Sequence, residues 1–313
     1  MSEALKLGYL IPTREQVMRG DHSTTSLLNA GRYAADQGFD SLWVGDSLTA
    51  RPRHDPLTLL GGLATVIPKL QLGTSVLLPA LRNPVVLAQQ LATIDQLSEG
   101  RLVVGAGIAA DVPTIRAEFQ AAGVPFEKRV GRLLEGFDLC RALWRGQPVD
   151  WEGRWHLKQQ QLAPTPVQAG GPPIWLGAGV EAGIKRAARQ FDGWMPIGPD
   201  PDTFGQRCRF YQNECAVLAK TPTTCLYLTL CLDEDETLAE TRLNDYLEQY
   251  YKVPAQAMRR IQACCGGNIE TILKFLHSYV VAGAQHLIIR VVGDYQRTLQ
   301  QLALHRTLIT DGL

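Results

Sequence analysis

Residues 70–108, LQLGTSVLLPALRNPVVLAQQLATIDQLSEGRLVVGAGI, read in order as strand, loop, helix, tight turn and strand. Leu70 to Leu78 is apolar on both faces apart from Thr74 and Ser75, the pattern of a parallel strand covered on both sides. Pro79 ends it. Asn83 then stands as N-cap with Pro84 at the first helical position, and Val85, Leu87, Ala88, Leu91, Ile94 and Leu97 recur at helical spacing. Gly100 is a natural helix stop, and Arg101 leads directly into a second apolar strand, Leu102 to Ala106. Two parallel strands joined by a crossover helix make a βαβ unit.

The same alternation extends in both directions. Upstream lie a strand at Leu5 to Ile11, a polar loop, a helix at Thr24 to Gln37 closed by Gly38, a strand at Ser41 to Gly45, a basic loop at Leu48 to His54, and a helix at Pro56 to Val66. Downstream, Phe126 to Trp144 is an amphipathic helix, and Val149 to Leu157 reads as a hairpin with a two-residue turn at Glu152-Gly153. The alternation resumes with strand Ile174 to Leu176, helix Glu181 to Gln190, strand Gly193 to Pro196, and a helix near Thr203 to Ala219. Strand Thr223 to Leu232, a long helical region over Thr237 to Leu276, strand His286 to Val292 and a closing helix Tyr295 to Leu308 complete the chain. Eight strands, each followed by helical sequence, predict one domain over residues 1–313: a (β/α)8 TIM barrel with an insertion after the fourth strand-helix unit. An open doubly wound sheet is the alternative arrangement. No linker, solenoid period or low-complexity tract divides the chain.

Composition narrows the function classes. The sequence is 45% hydrophobic and 20% charged, with Lys+Arg 31 against Asp+Glu 31, so it lacks the basic balance that phosphate-backbone binding requires. The one local exception, Arg51-Pro-Arg53-His54, reads as a solvated turn. No apolar run is long enough to span a bilayer, and the start MSEALKLGYLI has no signal-peptide pattern, so a cytoplasmic protein without membrane or nucleic-acid partners is expected. Seven cysteines form no C-x-x-C pair, which predicts idle reduced thiols and no metal centre.

In a barrel of this kind, chemistry sits at the C-terminal strand ends. Two of them, Gly105-Ala-Gly107 and Gly177-Ala178-Gly179-Val180, are glycine turns between a strand and a helical segment. Backbone N–H groups in such a turn can hold a phosphate, although a tight turn alone also calls for glycine. Both fit the letters G-x-G-x-x-A, but neither has an acidic residue ending the next strand about twenty residues on, so a Rossmann dinucleotide site is not indicated. Asp46 ends the SLWVG strand, where its carboxylate can bond a cofactor or cap the next segment. Ser75 is a hydroxyl within a buried strand, and His54 is the one histidine near a strand-end loop on the active face. Nothing in the sequence resembles a nucleophile elbow, P-loop or H-x-x-x-H pair.

The segments Leu72-Gly-Thr-Ser-Val-Leu-Leu-Pro79, Asp95-Gln-Leu-Ser-Glu-Gly-Arg101, Gly105-Ala-Gly107, Trp43-Val-Gly-Asp46 and Pro173-Ile-Trp-Leu-Gly-Ala-Gly179 together resemble the bacterial luciferase-like family of flavin- and deazaflavin-dependent oxidoreductases. The resemblance implies a (β/α)8 barrel, often a homodimer, that binds FMN or F420 at its C-terminal mouth and works on a small organic substrate. It implies a non-prolyl cis bond at Ser75-Val76 behind the flavin ring, a phosphate loop at Gly177 to Val180, and a ring or tail contact at Asp46. The chemistry implied is hydride transfer, or oxygenation if the cofactor is FMN. Two departures matter. Ser47 stands where many relatives carry an acid-base histidine, and Ala109-Ala110 followed by Asp111 replaces a glutamate that some members place past the fourth strand. His54, Asp111, or a hydroxyl with water are the candidates for the lost acid. A flavin-holding relative without turnover is the second reading.

Overall fold

The computed structural model describes residues 4–312. The first three residues of the chain, part of the stretch read for a signal peptide, lie outside them. The strands are β1 (Lys6–Leu10), β2 (Ser41–Val44), β3 (Gln71–Thr74), β4 (Leu102–Ala106), β5 (Val149–Glu152), β6 (His156–Gln160), β7 (Ile174–Leu176), β8 (Gly193–Trp194), β9 (Cys225–Leu232), β10 (Ala263–Gly267) and β11 (His286–Val292). The fold is α/β. All strands but β5 and β6 are members of parallel sheet structure, and each of these nine, one more than the eight expected, is followed by at least one helix.

The chain divides into two compact units, one of Met1–Pro12, Asn29–Trp43 and Trp175–Leu313, the other of Thr13–Leu28 and Val44–Ile174. In the first, β1 lies between β11 and β2, with Gly8 opposite Ile288 on one side and Ser41 on the other. β11 runs along β9 from His286↔Cys225 to Val292↔Cys231, and β10 takes the other edge of β9, Ala263↔Leu228 to Gly267↔Leu232. The two-residue β8 pairs with β7 and reaches β9's side through a single bridge, Trp194↔Thr224, supported by Tyr227 N–H donating to the Pro196 carbonyl at 3.0 Å.

The apolar floor of this unit is built around His286. Its Nε2 is 2.7 Å from Ser41 Oγ, which accepts the Trp43 indole N–H at 2.7 Å, and the rings of Trp43 and Trp175 meet the imidazole edge-on at 5.5 and 5.6 Å. A Cβ on Gly8 would fall 2.5 Å from both Ser41 Oγ and Trp43 Nε1, so only glycine leaves room for this cluster.

The long helical region expected over 237–276 is instead two helices, Glu236–Tyr251 and Ala255–Arg259, followed by β10 and the helix Ile269–Val281. Lys252 adopts φ 59° and caps the first helix, and Pro254 prevents its continuation. The strand ACCGG carries no β-branched residue, which hides it from a propensity reading. Gly266 earns its place there because a Cβ would lie 2.9 Å from the backbone of Ala239 in the overlying helix. The closing helix likewise breaks at His305, into Tyr295–Leu304 and Arg306–Asp311.

In the second unit β3 pairs with β4 at Leu72↔Leu102 and Gly73↔Val103. The expected strand 70–78 loses regular pairing after Thr74. The chain then leaves the ladder and rejoins it at the Leu77↔Ala106 bridge. Pro84–Leu97 is a helix capped by Asn83, whose Oδ1 accepts Val85 N–H at 2.9 Å. Near its end the fully buried Asp95 accepts the backbone N–H of Gln168 at 2.9 Å and its side-chain amide at 2.7 Å. A short helix, Thr13–Met18, stands in the polar loop, where the sequence showed no helical signal, and the helical segment expected after the Gly105 turn begins with Pro113–Ala121. The amphipathic helix starts at Arg129, after a single turn of 3-10 helix. β5 and β6 form the antiparallel hairpin, but Glu152 pairs with His156, so residues 153–155 connect them rather than a two-residue turn. Glu135 fastens that connection by accepting from Arg154 N–H at 2.5 Å and from its guanidinium.

Candidate active site

Beyond β2 and β3 in the second unit, one ion pair organises the chain. Asp46, with its side chain 1% exposed, accepts both guanidinium nitrogens of Arg82, at 2.5 and 3.1 Å, and the backbone N–H of Leu78 at 2.8 Å. Arg82 also reaches Asp55 at 3.3 Å, the residue that caps the helix Pro56–Val66. A bidentate charged pair of this kind fixes direction as well as distance. It pins the far end of the segment Ser75–Leu78, whose near end is held by Ser75 N–H on the Val44 carbonyl at 2.8 Å. Between the two anchors, the Ser75-Val76 peptide bond is cis. Gly105 and Gly107 supply the third side. The Gly105 carbonyl accepts Thr74 Oγ–H and Leu77 N–H, both at 2.7 Å, while a Cβ on Gly107 would overlap Val76 Cγ2. Gly45 is constrained similarly, since a Cβ there would overlap the Arg53 guanidinium.

The proposed acid-base positions are engaged as follows. Ser47 Oγ donates to Glu118 Oε1 at 2.6 Å and accepts Arg51 N–H at 2.9 Å, so its proton points toward a carboxylate within the protein. Asp111 is gripped through both oxygens by Arg116, at 2.6 and 2.8 Å, and that hydrogen-bonded guanidinium holds its carboxyl below the usual carboxylate range. An acid held ionised in this way is a poor proton donor near neutral pH. His54 is half-buried, and its Nε2 lies 3.1 Å from the His22 carbonyl. Arg82 and Glu118 were not among the residues singled out by sequence. Arg82 follows the strand it serves by a loop, and Glu118 lies in a helix with no motif, so neither leaves a local signature.

In the first unit, Gly177, Ala178, Gly179 and Val180 lead from β7 into the ten-residue helix Glu181–Gln190. Val180 is 70% exposed and offers no side-chain cap; the Gly183 N–H already donates to the Val180 carbonyl at 2.9 Å, so it is the N–H groups of Glu181 and Ala182 ahead of it that an anionic group would meet. A Cβ on Gly179 would meet nothing nearer than Arg207 Nη1 at 4.0 Å. Elsewhere in this unit Arg290 is buried near the end of β11, donating to the hydroxyls of Tyr246 at 2.9 Å and Tyr250 at 2.8 Å. A pocket of about 390 Å³ is lined by Pro199, Asp200, Arg259, Arg260, Gln262 and Tyr279, among others. The Oε1 of Gln262, a residue only 2% exposed, has no hydrogen-bond partner. All seven cysteines are free thiols, and burial raises the pKa of each one for which a shift is resolved. Among the described residues no group of three or more His, Cys, Asp or Glu side chains could hold a metal ion, and no helix is long and apolar enough to cross a membrane.

Known proteins match this architecture along its length. An F420-dependent glucose-6-phosphate dehydrogenase of Rhodococcus erythropolis is 31% identical, over 96% of this chain and 96% of its own length. One from Mycobacterium avium is 34% identical over 61% of this chain, and the match spans 56% of that relative's length. Among solved structures, an F420-dependent secondary alcohol dehydrogenase in complex with an F420-acetone adduct superposes with a TM-score of 0.83 at 19% identity, covering 99% of this chain and all of that one, a likeness of fold. The profile of the luciferase-like monooxygenase family matches residues 5–293, and the chain belongs to that family.

Proposed function

We propose that the chain is an F420-dependent oxidoreductase, moving a hydride between the deazaflavin and a small organic substrate. The observation that carries this is the segment Ser75–Leu78, fixed by Val44, by the Asp46–Arg82 pair and by the glycine at 107, a rigid edge of the kind a planar ring needs behind it. F420 is favoured over FMN because the relative that matches over 96% of the chain is named for F420. The second unit fits such a cofactor, since Ser75 and Val76 would back its ring. In the first unit, taken by itself, the helix start at Gly177 to Val180, which has no side-chain cap, would suit an anionic group. When bound, F420 accepts or gives the hydride at its ring.

The chain's own residues have narrower tasks. Asp46 orients the segment behind the ring through Leu78 N–H rather than touching substrate. With Ser47 donating to Glu118 and Asp111 tied to Arg116, neither is poised to hand a proton to substrate, and His54 is the remaining titratable candidate of the three. Arg260 and Gln262 in one pocket would suit a substrate bearing an anionic group and hydroxyls, the neighbouring Arg259 being paired with Glu240 and Asn244. We further read residues 1–313 as one functional domain, in a cytoplasmic homodimer. FMN-dependent oxygenation is the second reading, supported by the family's name, and cofactor binding without turnover is the third, motivated by serine at 47.

The test is a fluorescence titration of the purified protein with oxidised F420 and FMN, followed by F420 reduction assays with glucose 6-phosphate and with secondary alcohols. F420 bound in preference to FMN, and reduced by either substrate, supports the proposal. Preference for FMN, with oxygen uptake, replaces it with the oxygenase reading. Binding of F420 without any substrate-dependent reduction selects the non-catalytic one.

A further inference from the structure

Glu118 projects from the helix Pro113–Ala121 and is 1% exposed. One of its oxygens, Oε1, accepts four hydrogen bonds, from Ser47 Oγ–H at 2.6 Å and from the consecutive backbone N–H groups of Leu48, Thr49 and Ala50 at 2.6, 2.9 and 3.1 Å. Three successive N–H groups converging on one point make a concave anion-binding loop, and here the anion is supplied by the protein itself. The other oxygen, Oε2, is buried without a hydrogen-bond partner, so the carboxylate is held from one side only, by the loop.

That loop begins one residue after Asp46. Displacing Ser47 therefore moves the carboxylate that holds Leu78 N–H and Arg82, and with it the Ser75–Leu78 segment. We propose that Glu118 is a positioning residue for the cofactor site, acting through the loop Ser47–Ala50 on Asp46 and the strand-three edge. This rests on the F420 reading above. It also assigns Ser47 a role: its hydroxyl closes the loop onto Glu118 and at the same time accepts Arg51 N–H, which makes it a structural tie rather than a proton shuttle.

The experiment measures F420 dissociation constants for the wild-type chain and for Glu118→Gln, Glu118→Ala, Ser47→Ala and Asp95→Asn, together with hydrogen exchange at Leu48, Thr49 and Ala50 without cofactor. Asp95 is the matched control, a buried carboxylate in the same unit that ties another loop through Gln168. Glu118→Ala is expected to weaken F420 binding about tenfold or more and to expose the three amides. Glu118→Gln, which keeps an accepting oxygen but loses the charge, should fall between it and wild type. Asp95→Asn should lower the melting temperature while leaving F420 binding within about twofold. If Glu118→Ala does not fold, Glu118→Gln and Ser47→Ala carry the same comparison. Wild-type affinity in the Glu118 variants that fold, or an equal loss in Asp95→Asn, overturns the positioning role. A wild-type chain that binds neither F420 nor FMN refutes the functional reading instead.

Discussion

Lowering the pH should destabilise this protein through a single buried imidazole. Ser41 Oγ accepts the Trp43 indole N–H and lies 2.7 Å from His286 Nε2, so a neutral imidazole is hydrogen-bonded in either tautomer, as acceptor of the Ser41 proton or as donor to its second lone pair. Burial, with a smaller contribution from Lys6, pulls the His286 pKa from 6.5 down to about 3. The unfolded chain takes up this proton below about pH 6.5 and the folded chain only near pH 3, so between those values the unfolded state binds more protons. Stability is therefore full above about pH 6.5 and falls with pH at up to about 1.4 kcal/mol per unit. At pH 5 the loss is about 2 kcal/mol, and at pH 4 about 3 kcal/mol. Carboxylates also titrate in the lower part of this window, so the assay is a difference. Urea unfolding of wild type and His286→Gln would be compared from pH 7.5 to 4.5, the glutamine keeping an acceptor for Ser41 without a titrating ring. Wild type should lose stability more steeply, by close to one proton's worth between pH 6 and 5. Superimposable pH dependences for the two proteins would refute the argument, because His286 would then be taking up its proton without cost in the folded state.

Other expectations follow from the same contacts. Asp46→Asn leaves the mostly buried Arg82 with only Asp55 as a charged partner and should cost about 3 kcal/mol in urea unfolding while weakening F420 binding. Gly107→Ala pushes a methyl group into Val76 and should cost about 1–3 kcal/mol, with a larger proportional effect on cofactor affinity than a destabilising change in the β5–β6 hairpin. Gly8→Ala drives the same group into Ser41 and Trp43, and should lower stability by a similar amount and shift the Trp fluorescence of the folded state.

Much of the fold was legible because its signals are local. The helix Pro84–Leu97 announced itself through Asn83, Pro84 and its apolar spacing, and β11 through HLIIRVV, a β-branched and apolar run whose two polar members, His286 and Arg290, are buried as well. β10 was not legible, since Ala-Cys-Cys-Gly-Gly becomes a strand only because β9 offers an edge and a helix backbone needs a surface without side chains to lie on. The site divides along the same line. The glycine turns, Asp46 and Ser75-Val76 are contiguous in motifs. The partners that determine what Asp46 and Ser47 can do, Arg82 and Glu118, are 36 and 71 residues away and carry no pattern linking them. Ser47 looked like a weakened catalytic residue in isolation; its partner shows that its hydroxyl is committed elsewhere.

The path of the chain between its two compact units has a practical consequence. It crosses from one to the other after Pro12, Leu28, Trp43 and Ile174, the last two crossings falling within β2 and β7. No single cut can release either unit as a continuous polypeptide, and an expression fragment ending anywhere inside the chain interrupts at least one of them. Neither half is a candidate for stand-alone production. Deletion mapping of the activity should therefore return only negatives, and complementation by co-expressed pieces, with breaks placed in exposed loops such as the connection at residues 153–155, is the route by which the chain can be taken apart and still be assayed.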